Sequence, residues 1–179
     1  LMDEGWNIGG RPTVQIPDWM DELVSYADSK DVKLLAWLHV SAINTPEKAE
    51  DVLSRLSEAG IAGVKMDFFD SESQDQMVMY DYLTRLCAEY HLVVNYHGAN
   101  LPTGERRTWP HVLTREGIRG DEYGNSYATQ TTVLHLTRNA VGPMDYTPVY
   151  SGRGNLTLGH RLAMTVAFES GIPCLAGRS

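Results

Sequence analysis

Three apolar runs set at an even pace constrain this chain more than anything else in it. Val32 to Val40, Ile61 to Phe68 and Leu92 to Tyr96 begin about thirty residues apart. Each is close to a continuous hydrophobic stretch, the pattern of a strand covered on both faces in a parallel sheet. The segments between them have helical periodicity. Asp18 stands where it would cap a helix running to Lys30, with Trp19, Met20, Leu23, Val24 and Ala27 as its apolar face. Thr45-Pro46 opens a second helix, lined by Ala49, Val52, Leu53 and Leu56 and closed by Gly60. Ser71 and Gln74 have capping-box spacing before a third helix, whose stripe is Met79, Tyr82, Leu83, Leu86 and Cys87. Strands and helices alternating over short connections predict parallel βαβ units. The pace suits a (β/α)8 barrel and an open doubly wound sheet alike. With 179 residues, 42% of them hydrophobic, the chain has material for one core.

Other classes are excluded by what is missing. The formal net charge is -8, so there is no basic footprint for nucleic acid. No apolar run approaches the roughly 20 residues of a membrane span. Cys87 and Cys174 lack metal-ligand spacing and read as buried free thiols. From Asn100 the helix–strand rhythm breaks into a stretch rich in Gly, Pro, Arg and Trp, Leu101 to Tyr127. A short strand is expected near His111 to Leu113, a helical turn after Glu116, and a strand end at Leu134 to Thr137. Leu158 to Ser170 reads as a helix with Leu162, Val166 and Ala167 inward, and Ile172 to Leu175 as the start of another strand. That makes six or seven strand positions, with Leu1 to Trp6 resembling the end of another. A full barrel takes about 250 residues, with about 200 as a lower bound. The expectation is therefore an incomplete barrel, lacking its first unit and its closing part.

The chemistry collects at strand ends. The stretch Gly60 to Asp70 runs from an apolar strand into Lys65 and Asp67, two apart and so on one side of it. Asp3, Glu4, His39, His97, Asn100, Glu116, Glu122, Arg138 and Asp145 follow other strands or lie in the loops beyond them. Trp6, Trp37, Trp109, Tyr123 and Tyr146 lie in the same segments. Carboxylates among aromatic rings suit a sugar, whose C–H faces meet the rings while its hydroxyls meet the acids. Asp70 and Asp75 fit a helix start, where carboxylates favour the positive dipole end. Glu47, Glu50, Asp51 and Glu58 fit a solvated helix face. No nucleophile elbow, phosphate loop or dinucleotide fingerprint is present, which leaves hydrolysis by two carboxylates as the simplest chemistry. His39 and His97 match no metal spacing and read as hydrogen-bonding groups.

Five motifs together resemble glycoside hydrolase family 97: Gly63-Val64-Lys65-Met66-Asp67-Phe68, Asn95-Tyr96-His97-Gly98-Ala99, Arg107-Thr108-Trp109-Pro110, Thr114 to Glu122, and Thr137 to Pro148 with its Gly-Pro-Met-Asp-Tyr-Thr-Pro run. The resemblance implies bacterial α-glucosidases and α-galactosidases, periplasmic or secreted. It implies an N-terminal β-sandwich, a catalytic barrel and a small C-terminal β-domain, of which this chain would be part of the barrel. The inverting branch of the family carries a glutamate base directly after the histidine matching His97; here that position is Gly98. The retaining branch uses an aspartate nucleophile, matched by Asp67, and the acid/base glutamate of both branches matches Glu122. Lys65, His97, Asn100, Trp109, Asp3, Glu4, Trp6 and His39 are the expected substrate-binding residues. Glu116 and Glu122 match ligands of a calcium ion near the family's site. The expected activity is a retaining exo-acting α-galactosidase on an α-linked galactoside. An α-glucosidase and a non-catalytic sugar-binding barrel fragment are the alternatives. On the retaining reading, Asp67 and Glu122 should stand about 5–5.5 Å apart.

Overall fold

The computed structural model describes residues 1–124, 126–149 and 155–176. The chain forms two compact units, Leu1–Gly98 and Ala99–Ser179. The division falls where the helix–strand rhythm of the sequence breaks.

The first unit is α/β. It runs α1 (Met20–Ser29), β1 (Leu35–His39), α2 (Pro46–Glu58), β2 (Gly63–Asp67), α3 (Gln74–Glu89) and β3 (Val93–Tyr96). β2 pairs in parallel with β1 on one side and β3 on the other. Met2 extends the sheet beyond β1, its N–H donating to Leu35 O at 2.8 Å and its carbonyl accepting from Trp37 N at 2.9 Å. The register sorts the side chains into two faces, because residues paired across parallel strands point the same way. Ala36, Leu38, Val64, Met66, Val94 and Tyr96 form one face, all 1% exposed or less. Trp37, Lys65 and Asn95 form a polar row on the other, and His39 pairs with Asp67 one row further on.

α2 forms as its sequence dictates. The Thr45 hydroxyl accepts from Lys48 N at 3.4 Å, Pro46 takes the first turn, and Ala49, Val52, Leu53 and Leu56 are buried. Gly60, at φ +82°, turns the chain out of the helix in a conformation that favours glycine. Two caps differ from expectation. Asp18 does not cap α1: the Met20 N–H donates to Pro17 O at 3.0 Å, and the N-cap is Trp19, which makes no side-chain cap bond. Trp19 is 45% exposed, and Met20 and Ala27 are the buried residues of α1. The cap of α3 is Ser73, accepting from Gln76 N at 3.4 Å, two residues later than the expected Ser71. Ser71 instead accepts from Ser73 N at 3.1 Å. Tyr80, Leu83, Thr84, Leu86 and Cys87 are the buried residues of α3, with Met79 and Tyr82 half-buried.

The second unit holds β4 (Val112–Arg115), α4 (Ala128–Leu134), α5 (Leu158–Ala167) and single 3-10 turns, including Asp121–Tyr123. Its core is Leu134, Met144, Tyr146, Leu156, Met164 and Phe168, with Ile118 against them. The strand end expected at Leu134 is the end of a helix, and Leu136 is 71% exposed. The orientation of α5 is the reverse of expectation. Leu162 and Val166 are exposed at 52% and 88%, and Ala167 is exposed too, while Arg161 and Met164 are buried. The reason is electrostatic: Arg161 reaches a buried partner, its Nε lying 3.1 Å from Asp121 Oδ2. Among the described residues there are four regular strands, fewer than the six or seven expected; Met2–Ala36 and Val149–Ala176 are isolated parallel bridges. Neither cysteine is in a disulfide; Cys87 is buried and Cys174 only half-buried. No helix among the described residues is long and apolar enough to cross a membrane.

Candidate active site

In the first unit the polar row ends at Asp67, the last residue of β2 and 8% exposed. Both of its carboxylate oxygens are engaged. Oδ2 accepts from Trp37 Nε1 at 3.0 Å and lies 3.5 Å from His97 Nδ1. Oδ1 accepts from Phe68 N at 2.7 Å. Burial raises the pKa of this carboxyl, but the His97 hydrogen bond and charge, the Trp37 indole N–H and the Lys65 charge outweigh it, so the group is held below its ordinary value. A buried carboxylate that stays ionised, held by directional donors, is equipped to act as a nucleophile.

The strand ends shape its surroundings. Lys65 is 2% exposed, and its Nζ lies 3.7 Å from Asp3 Oδ2, which the Met2 bridge carries to that side of the sheet. Glu4 lies further out, ion-paired with Arg11 at 2.7 Å. Trp6 is 8% exposed and donates its indole N–H to Trp37 O at 2.8 Å, supporting the strand that bears Trp37. His39 accepts from Ser41 N through Nδ1, and its ring stacks on Phe68 at 5.1 Å between centroids. Phe68 also meets Trp37 edge-on and lies under the Arg11 guanidinium, 4.9 Å away. The structure thus gathers Asp3, Lys65, Trp37, His39, Asp67 and His97 at one side of the sheet.

Sequence reasoning missed Phe68 and Arg11. Phe68 reads as the end of an apolar strand, yet it is 37% exposed and sits at φ +67°, where a bulky side chain is strained. Gly98, at φ +49°, closes over the same carboxylate. A Cβ there would lie 2.7 Å from Phe68 N and 2.8 Å from Asp67 Oδ1.

In the second unit the expected residues divide. Asn100 is tied down, its Oδ1 accepting from Arg115 Nη1. Arg115 also pairs with Glu105 at 3.0 Å. Trp109 is half-buried, edge-on to His111 at 5.9 Å. Glu116 is buried and Glu122 exposed. Five residues lie between them, Gly117 and Gly120 included, and a Cβ on Gly120 would lie 3.9 Å from Glu116 Oε1, so the Glu116 carboxylate folds back toward the turn that bears Glu122. Two carboxylates are the hard oxygen donors that calcium takes, and the residues fit such an ion in kind. Asp121, next to Glu122, anchors that turn, accepting from Val149 N at 2.9 Å and pairing with Arg161. Arg138 binds the backbone below Glu116: its guanidinium donates to the carbonyls of Arg115, Glu116, Gly117, Gly142 and Pro143.

The first unit is thus a parallel α/β unit ending in a clamped carboxylate among aromatic and basic groups. The family model "Glycoside hydrolase 97" matches residues 1–118. This chain belongs to glycoside hydrolase family 97. It is 42% identical, over 99% of its length, to a Streptomyces bingchenggensis protein named "Probable retaining alpha-galactosidase". It is 32% identical, over 95% of its length, to the "Retaining alpha-galactosidase" of Bacteroides thetaiotaomicron. The chain spans 29% of the length of each of these relatives. Among solved structures it is similar to a β-arabinopyranosidase, with a TM-score of 0.83, 22% identity and 97% of this chain and 32% of that chain covered. It is also similar to a family 97 enzyme from a Pseudoalteromonas species solved with acarbose, with a TM-score of 0.79, 24% identity and 92% of this chain and 30% of that chain covered. These two likenesses establish the fold.

Proposed function

We propose that this chain is part of the catalytic (β/α)8 barrel of a retaining, exo-acting α-galactosidase. The observation that carries the reading is the Asp67 site: an ionised, buried carboxylate held on both oxygens, with Gly98 backbone closed over it. The names of the two curated relatives point the same way.

The reaction follows from the residues in two displacements. Asp67 attacks the anomeric carbon and the glycosidic C–O bond breaks, while the Glu122 carboxyl gives its proton to the departing oxygen. A glycosyl ester on Asp67 results. Glu122, now a carboxylate, takes a proton from water, which attacks the same carbon and releases Asp67; two inversions retain configuration. His97, the Trp37 indole and the Lys65 charge keep Asp67 ionised between turnovers. Asp3, Lys65, His39 and His97 are the polar groups offered to sugar hydroxyls, with Glu4 further out; Asn100 and Trp109 are the substrate-binding residues proposed from the second unit. Glu116 and Glu122 are the residues that would hold calcium, Glu122 only if its other oxygen keeps the proton it donates; the ion would supply positive charge for binding sugar oxygens. Gly98 leaves no side chain at the position that carries the base in the inverting branch.

The test is made with the full-length gene product. Nitrophenyl α-galactoside should be cleaved in preference to the α-glucoside, and NMR should show the α-anomer as first product. Asp67→Gly should abolish turnover, and azide should restore part of it with a β-glycosyl azide as product. A β-anomeric first product, or wild-type turnover in Asp67→Gly without azide, would overturn the reading.

A further inference from the structure

The geometry points to Gly98 as a positioning residue for the Asp67 carboxylate, its missing side chain being the space that carboxylate occupies. The inference rests on the reading of Asp67 as nucleophile. β2 and β3 run in register to Met66 and Tyr96, and His97 N donates to Met66 O at 2.8 Å. Beyond that point both strands turn in the same unusual way: Phe68 at φ +67° after Asp67, and Gly98 at φ +49° after His97. The two left-handed residues bring their backbones together. A Cβ at position 98 would stand 2.7 Å from Phe68 N, 2.8 Å from Asp67 Oδ1 and 2.9 Å from Phe68 Cα.

Two of these neighbours are backbone atoms, and the third belongs to a carboxylate that cannot swing aside freely. Oδ1 is held by Phe68 N at 2.7 Å and Oδ2 by Trp37 Nε1 at 3.0 Å. Any side chain at 98 must therefore displace the Asp67 oxygens, the Phe68 turn that holds one of them, or both. The nucleophile in this pose and a side chain at position 98 exclude one another. The Phe68 strain fits this arrangement: its left-handed turn aims the N–H that orients Asp67, and Gly98 is what lets the neighbouring strand accept it.

The experiment crosses position 98 with position 67 in the full-length gene product, using nitrophenyl α-galactoside. Gly98→Ala and Gly98→Asn introduce the same Cβ, while asparagine tolerates a left-handed backbone better. Both should fold and should lower kcat about a hundredfold with KM little changed, the loss expected from a misplacement of roughly 1 Å. In the Asp67→Gly background rescued by azide, adding Gly98→Ala should change the rate less than about threefold, because the displaced group is gone. Gly60→Ala is the control. Gly60 also sits at positive φ, and its Cβ would meet Val24 Cγ1 at 2.9 Å, so it should lower the melting temperature and leave kcat unchanged. An equal loss from Gly98→Ala in both backgrounds would make Gly98 a folding residue only and overturn the inference. Unchanged kcat in both single variants would overturn it as well. If the single variants fail to fold and Asp67→Gly/Gly98→Ala folds, exclusion is supported; if all three fail, it is overturned. Wild-type turnover in Asp67→Gly without azide would refute the nucleophile itself, a separate result.

Discussion

Arg138→Met should be among the most damaging single substitutions in the second unit. Arg138 is 5% exposed, and its guanidinium makes five hydrogen bonds to main-chain carbonyls: Nε to Gly117 O at 3.1 Å, Nη1 to Gly142 O at 3.0 Å, and Nη2 to Arg115 O, Glu116 O and Pro143 O at 2.9, 3.1 and 3.0 Å. Burial and the Arg115 charge push its pKa down to about 10, which leaves it charged at neutral pH. The sign follows: the folded chain pays for a buried charge at every pH below about 10, and this penalty is relieved only as pH rises further, toward the unfolded value. Methionine removes that penalty and also all five bonds. Arg115 O keeps a donor in Asp145 N, and Gly142 O keeps one in Asn139 Nδ2. The remaining carbonyls lose the guanidinium at about 1–3 kcal/mol each. The recovered desolvation offsets part of this, and a net loss of about 3–5 kcal/mol is expected, the range for breaking a buried charged network. For a folding unit of about 150–250 residues a loss of this size lowers the melting temperature by about 6–20 °C. Arg138→Lys keeps the charge but cannot span carbonyls on both sides, so it should recover less than half of the loss. The assay is thermal and urea unfolding of each variant at pH 7. A change below about 1 kcal/mol for Arg138→Met would refute the reasoning, since it would mean those carbonyls find other donors at no cost.

Two further outcomes are expected. The Asp67 pKa is lowered in the folded chain, so its ionised form contributes stability above the ordinary carboxylate pKa, and this is lost as pH falls through the lowered value. Asp67→Asn should therefore be less stable than the parent at neutral pH and approach it on acidification; a stability gap independent of pH from 7 to about 3 would contradict the assignment. Ser73→Ala should cost about 1 kcal/mol as a lost helix cap, and Ser71→Ala clearly less. Urea midpoints for the pair decide it, the reverse order placing the cap at Ser71.

Local patterns decided much of the first unit, because its elements are short-range objects. The faces of α2 follow from a 3.6-residue period, its start from Thr45-Pro46, and the three strands from runs too apolar to sit anywhere but inside. The same logic placed Lys65 and Asp67 on one side of β2, since side chains alternate along a strand. Adjacency across strands had no local signal. That His97 stands 3.5 Å from Asp67, and that Trp37 gives it an indole N–H, depends on a parallel register set by packing. Phe68 and Gly98 show the limit most sharply, because a left-handed backbone at a strand end is imposed by neighbours rather than by residue type, at least for phenylalanine. In the second unit periodicity misled. α5 carries apolar residues on more than one side, and its orientation was decided by Arg161 reaching Asp121, forty residues earlier in the chain. The Arg138 bonds to five carbonyls are likewise invisible in sequence, where Arg138 reads as one more polar residue collecting at the strand ends. Helical and strand periods are properties of a few consecutive residues, and the sequence alone determines them. Which buried charge meets which partner is a property of the closed chain, and only the tertiary structure decides it.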